Sequence, residues 1–423
     1  ALEGDKAFRQ KNYRKAITEY QKATAIAANF PAAHYFKGYA HYYLNEFDAA
    51  VESFTAALTH QYSPLEVYKV RWFSYYKAKN LDSALADLEQ LLKLQPQEAS
   101  HWTSAGDLYR EKGMVKEAVA AYEQAVTLNP NSGDLFYSLA FTYALMGDRV
   151  QQGVTALKAI QKTTRFLGDS WYLVGVAFQS QRKYPEAADA FERAISAKPD
   201  IREAYLNLSQ IYQVQNRFED AIATIKKGLE VAPENGDLYV TLTWLYSLTD
   251  RNVDAIIAGR KAVSLVPEQY MAYTNLCRAY NDAKQYDQAI QACNSALKLQ
   301  PGDGESNFYL ARAYDFQKKP DVATGFYTKA VKGLVEFTEQ NPDYSDGFYL
   351  LGNAYFAVGQ RTSAIAAYRK SLALSPKFTK AIFNLGYMYH LNGDRNAARE
   401  QYDSLLKLDP ELAAKLLDTI NGK

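Results

Sequence analysis

Catalysis would need side chains that titrate, attack or ligate at spacings that bring them together, and this chain offers few of them. Its five histidines, His34, His41, His60, His101 and His390, are scattered along the chain. None stands in the His-Glu-x-x-His spacing that sets two imidazoles and a carboxylate on one helix face for zinc chemistry. His34 and His41 lie two helical turns apart in an aromatic segment, a coincidence of spacing and not a ligand pair. There is no glycine loop to cradle phosphate, no Gly-x-Ser-x-Gly elbow, and no cysteine with a histidine partner in sequence reach. The sequence points to no catalytic residue, no metal and no cofactor, and it predicts a protein that is not an enzyme.

What the residues do carry is a rhythm. From Ala99 to Ser132 a helix bearing Trp102, Ala105, Gly106 and Tyr109 is followed by one bearing Ala118, Tyr122 and Ala125, and then by Pro130. Gly106 and Ala118 are small enough to let two antiparallel helices approach, while the rings fill the space beside the contact. Pro130 cannot continue a helix, so one pair stops and the next begins. This pattern resembles the tetratricopeptide repeat (TPR), a 34-residue helix-turn-helix unit. The resemblance covers the whole chain. The second-helix alanine recurs as Ala16, Ala50, Ala84, Ala118, Ala187, Ala221, Ala255, Ala289, Ala323, Ala364 and Ala398, and prolines punctuate at the same step.

About twelve repeats follow, starting near Ala1, Pro31, Leu65, Ala99, Gly133, Gly168, Arg202, Gly236, Tyr270, Gly304, Ser345 and Thr379. The implied fold is all-α: a right-handed α-solenoid superhelix of tandem antiparallel helix pairs, spanning residues 1–423 as a single domain. Residues 411–423 are expected to form a C-terminal capping helix. Three repeats depart from the pattern. The fifth has Gln152 and Ala156 where alanine and an aromatic are expected, and should be the least regular. The third carries Trp72 at the close-packing position, and should splay or rotate to admit the indole. The tenth holds a seven-residue insertion at about 333–342, read as a longer second helix that protrudes from the outer surface.

Cys277 and Cys293 occupy the eighth and twenty-fourth positions of the ninth repeat, which face one another in an antiparallel hairpin. Two readings stay open: small buried hydrophobes filling a gap, or a disulfide that implies an oxidising compartment. The chain begins with alanine, as a signal peptidase leaves it and as trimming also leaves it. Export to a periplasmic or extracellular place is therefore expected ahead of a cytoplasmic one. No apolar run reaches the roughly 18 residues of a membrane span. With 48 basic and 47 acidic residues there is no field to recruit nucleic acid, and little long-range repulsion between copies.

In the family the first helices line the concave surface. The resemblance places fourteen rings there at positions the repeat does not need for packing: Tyr35, Tyr39, Tyr42, Phe73, Tyr76, Tyr137, Phe141, Tyr172, Trp244, Phe308, Tyr349, Phe356, Phe383 and Tyr387. An apolar stripe of that extent marks a partner surface. The acidic series Glu66, Asp134, Asp169, Glu203, Asp237, Glu305 and Asp346, each at the second position of a repeat, is expected to cap helices and offset their dipoles. Lys69 is followed by Phe73, and of the sixth positions only Asn207, Asn275 and Asn384 are asparagine. Neither the family's carboxylate clamp nor its asparagine ladder is complete. The expected function is a scaffold for protein-protein interaction, assembling with itself into oligomers or filaments. The alternative is an adaptor that grips an extended segment of another protein in the aromatic groove.

Overall fold

The computed structural model describes residues 1–422, which form 25 helices. The chain divides into two compact units, Ala1–Ile211 and Tyr212 onward. In unit 1 the successive pairs are α1 (Leu2–Arg9) with α2 (Tyr13–Ile26), α3 (Pro31–Tyr43) with α4 (Phe47–Thr59), and α5 (Pro64–Lys77) with α6 (Leu81–Leu94). They continue as α7 (Ala99–Glu111) with α8 (Val115–Leu128), α9 (Gly133–Met146) with α10 (Arg149–Lys162), and α11 (Leu167–Ser180) with α12 (Tyr184–Ala197). The boundary falls within α13 (Arg202–Val214), which is followed by α14 (Phe218–Val231). Unit 2 goes on with α15 (Gly236–Leu248) and α16 (Asn252–Leu265), α17 (Tyr270–Asp282) and α18 (Tyr286–Leu299), and α19 (Gly304–Phe316) and α20 (Pro320–Gln340). Last come α21 (Ser345–Ala357) and α22 (Arg361–Leu374), α23 (Thr379–Leu391) and α24 (Arg395–Leu406), and the single α25 (Pro410–Ile420).

Local chemistry explains the boundaries. Pro31, Pro64, Pro320 and Pro410 sit in the first turn of their helices, where a missing N–H costs nothing. Asn12, Asn80, Ser132, Asp148, Asn235, Asp303, Asp394 and Asp409 cap others by accepting a backbone N–H. Tight turns between paired helices need one left-handed residue. Gly113, Gly147, Gly359 and Gly393 supply it without strain, while Lys79, Lys284 and Lys318 hold the same conformation with a side chain attached.

Packing within a pair centres on one recurring contact. A Cβ placed on Gly4, Gly38, Gly106, Gly175 or Gly352 would lie 2.5–2.9 Å from the ring of Tyr20, Phe54, Tyr122, Phe191 or Tyr368 respectively. Only glycine lets the second helix seat its ring there, and burying Phe54 or Phe191 stabilises by roughly 1.5–3 kcal/mol. Three of these rings also carry a polar tip: the hydroxyls of Tyr20, Tyr122 and Tyr368 donate to Asp5, Asp107 and Asn353.

The irregular repeats resolve by compensation. Trp72 takes the glycine position on α5, and Leu88 takes the ring position opposite, so bulk has changed sides within one buried cluster. In the fifth pair α9 and α10 are both 14 residues long. Gln152 is fully buried but satisfied: its Nε2 donates to the Leu173 carbonyl at 2.7 Å, and its Oε1 accepts from Arg149 at 2.7 Å. The insertion lengthens α20 to 21 residues, and the expected protrusion is corrected in part. Gly333, Leu334 and Thr338 are buried, and Gly333 lies so close to Gly302 and Gly304 that neither Gly304 nor Gly333 could carry a Cβ. Ala413 and Leu416 of α25 cover the end of the stack, with Leu416 against Gly386.

Candidate functional site

In unit 1 the predicted rings form a line along the first helices. Tyr42 of α3 meets Phe73 of α5 with centroids 6.0 Å apart, and Phe73 meets Tyr76 at 6.0 Å. Lys77 and Lys79 lie over Phe73 and Tyr76 at 5.1 and 5.8 Å. The Tyr76 phenol bonds to Glu111 of α7, which raises its pKa. Arg110 then lies 5.7 Å over Phe141 of α9, Phe141 is 6.4 Å from Tyr137, and Tyr137 stacks on Phe166 at 4.3 Å. Each helix hands the line to the next. Tyr42, Phe73, Tyr76 and Tyr137 are half-buried and Phe141 is exposed, so one side of the line stays open.

Other expected members are less available. Tyr35 is buried, stacked on Tyr62 at 4.2 Å and edge-on to Phe54, and so is withdrawn from the surface. Tyr39 keeps a half-open position, its hydroxyl accepting from Tyr35 at 3.5 Å. Tyr172 leans on Phe191 at 5.8 Å and accepts from Asn207.

In unit 2 most of the rings pack on one another, although Phe356 is as exposed as Phe141. Phe308 is buried between Tyr309 and Tyr327, which removes it from the surface. Tyr349 lies 4.8 Å from Phe378, Phe356 is edge-on to Tyr387 at 5.9 Å, and Phe383 and Tyr387 pack on the cluster under α25. Trp244 of α15 reaches Tyr344, just before α21, at 6.4 Å. Cys277 and Cys293 are joined in a disulfide where other pairs place glycine and a ring.

Beside that disulfide lies a group that sequence reasoning missed. The Arg278 guanidinium of α17 donates to Asp346 of α21 at 3.1 Å and lies 3.7 Å from Glu305 of α19. Tyr309 lies beneath it at 5.7 Å. Burial pushes the Glu305 carboxyl up to about 8, against the pull of Arg278. The acidic series thus splits: Asp134 and Asp169 accept from Arg165 and Lys198 at the far end of their own repeats, while Glu305 and Asp346 converge on one arginine. The legible signal was Arg278 itself, a cation at the ninth position of its repeat, where the preceding repeat carries Trp244.

No helix among the described residues is long and apolar enough to cross a membrane, and no group of three or more His, Cys, Asp or Glu side chains among them is placed to hold a metal. Family profiles described as TPR repeat match residues 106–147 and 352–393, and profiles described as tetratricopeptide repeat match 2–64, 172–236, 270–303 and 379–412. The chain belongs to the tetratricopeptide repeat family. The unmatched stretches of this TPR chain hold the Trp72 exchange, the buried Gln152 and the insertion.

Among similar proteins, the chloroplastic tetratricopeptide repeat domain-containing protein PYG7 of Arabidopsis thaliana is 33% identical over 67 residues, 16% of this chain and 22% of that protein. Human tetratricopeptide repeat protein 13 is 24% identical over 177 residues, 39% of this chain and 20% of that protein. This chain therefore spans about a fifth of the length of these relatives. A crystal structure of the APC/C hetero-tetramer Cut9-Hcn1 aligns over 99% of this chain and 95% of that one, at 14% identity and a TM-score of 0.46.

Proposed function

We propose that this TPR chain is a non-enzymatic scaffold for protein-protein interaction, and that the ring line of unit 1 holds an extended segment of another protein. The run from Tyr42 to Phe166, carried across α7 by Glu111 and Arg110 and open on one side, is the observation that carries this reading. Rigid rings give contact area at low entropic cost, and the phenols add hydrogen bonds to a peptide backbone. Helices spaced roughly 10 Å apart make the line from α3 to α9 about 30 Å long. An extended segment of about nine residues would cover it. Eleven-residue peptides selected from a random display library against the chain should be enriched in apolar residues. Their affinity should fall at least tenfold on Phe73→Ser or Phe141→Ser, with the circular-dichroism melting curve retained. Selected peptides indifferent to both changes would place recognition elsewhere.

Self-assembly is the second reading, and the outer side of α10 supports it. Val150, Val154 and Leu157 form one stripe at helical spacing and are 57%, 47% and 37% exposed. Light scattering should show dimers or larger species at about 100 µM that Val154→Glu returns to monomers. A monomer at every concentration removes this reading. The Cys277–Cys293 disulfide supports residence in an oxidising compartment.

A further inference from the structure

We propose that the recess of unit 2 lined by Trp244, Arg278, Glu305, Tyr309, Tyr344 and Asp346 is a second recognition site, which takes one basic side chain of a protein or peptide partner. It goes beyond the ring line of unit 1 and shares no residue with it.

Unspent hydrogen-bonding capacity is the first support. The side chains of Arg278 and Asp346 are more than nine-tenths buried, yet among the described residues Arg278 Nε and Asp346 Oδ1 have no hydrogen-bond partner. Glu305 Oε1 and Trp244 Nε1 are in the same condition. Buried polar atoms are nearly always paired, and of these four Asp346 Oδ1 and Glu305 Oε1 are acceptors that a cationic donor would meet. The rim of the cluster is exposed, the Glu305 side chain keeping 24% of its surface and Tyr344 36%, and the unpaired atoms lie beneath it.

Charge then selects the occupant. Facing Glu305 are Arg278, Asp282 and Tyr270 from α17, Tyr344 and Asp346 at the start of α21, and Asp303 and Tyr309 at the start of and within α19. Arg278 is the one cation in this set, since Arg312 is bonded to Asp282 at 2.9 Å. Carboxyl groups outnumber guanidinium groups, so an anion is repelled and a cation gains. Glu305 meets the deficit by holding a proton, its carboxyl pushed up to about 8 by burial first of all. A guanidinium or ammonium group would replace that proton. The Trp244 and Tyr344 rings, 6.4 Å apart and inclined at 30°, offer the faces against which a cation rests.

The probe is acetyl-Gly-Arg-Gly-amide, titrated calorimetrically into the full chain, with the citrulline peptide as its neutral counterpart. Saturable binding of the arginine peptide is expected, with the citrulline peptide at least tenfold weaker. Because the bound form needs ionised Glu305, affinity should rise about tenfold per pH unit from pH 6 to about 8 and then flatten. Glu305→Gln should lose at least tenfold in affinity and all of that slope, while its melting temperature at pH 7 is unchanged, because the protonated carboxyl carries no charge to lose. Phe73→Ser should bind the arginine peptide like the parent chain, which separates failure here from failure of the unit 1 reading. Equal binding of the two peptides, no saturation, or an unaffected Glu305→Gln would each overturn the proposal.

Discussion

Arg71 in unit 1 and Arg278 in unit 2 are both buried in first helices, and they differ in what surrounds them. Arg71 donates from Nε and Nη2 to the two Asp87 oxygens at 2.8 and 2.7 Å, and from Nη1 to Thr55 at 3.0 Å. The rings of Tyr68 and Tyr75 flank it at 5.6 and 5.5 Å. That geometry is bidentate and closed, tying three helices, α4, α5 and α6, into one body. Arg278 has one bond at 3.1 Å, a second carboxyl group at 3.7 Å and an unused Nε. A satisfied buried charge is a staple, whereas an unsatisfied one keeps capacity for a partner.

Removing the partner of each arginine tests that contrast and carries the largest expected effect. Asp87→Ala leaves a guanidinium buried and unpaired, which should cost about 3–5 kcal/mol in urea denaturation. Asp346→Ala leaves Glu305, 3.7 Å from Arg278, to ionise in its place, and should cost about 1–2 kcal/mol. Equal losses would mean that the two arginines do the same job. Replacing Arg71 and Asp87 together, by Met and Leu, should recover most of the first loss, because no charge then remains to be desolvated.

The disulfide supplies the second test. Cys277 precedes Arg278, and Asn281 of the same helix donates to the Cys277 and Tyr309 carbonyls at 3.1 Å each, so the bond anchors the floor of the recess. With the cysteines 16 positions apart, Cys277→Ala with Cys293→Ala should cost about 3 kcal/mol. Hydrogen exchange should rise in α17 and α18 and stay unchanged around Arg71. A rise around Arg71 as well would show that the bond stabilises the chain at large and not the recess.

How far these features could be read in advance depends on the range of their contacts. Gly106 and Tyr122 belong to one repeat and meet by local geometry, so their spacing alone announced the fold. Cys277 and Cys293 lie in one hairpin, and the same logic brought them face to face. Arg278, Glu305 and Asp346 come from three successive repeats, and their meeting depends on how far each pair turns relative to the last. A 34-residue pattern carries no record of that turn. The helix-capping explanation of the acidic series fitted every member separately and so concealed the two that converge. Trp72 shows the same limit from the other side, because its compensation by Leu88 is visible only once the two positions are known to touch.

The smallest effect concerns one turn between paired helices in each unit. Lys284, between α17 and α18, holds φ at 59°, while Gly113, between α7 and α8, holds φ at 73°. A side chain in the left-handed region costs roughly 1–2 kcal/mol, and glycine gives back about 0.5–1 kcal/mol through the freedom of the unfolded chain. Lys284→Gly should therefore stabilise by about 0.5 kcal/mol, and Gly113→Lys should destabilise by a similar amount, in urea titrations run side by side. The useful readout is the arginine peptide. If Lys284→Gly raises stability and leaves its affinity unchanged, the recess is held by its helices and the disulfide. An affinity that falls with the relaxed turn would show that Lys284 keeps α17 in register for Arg278, making the turn part of the site.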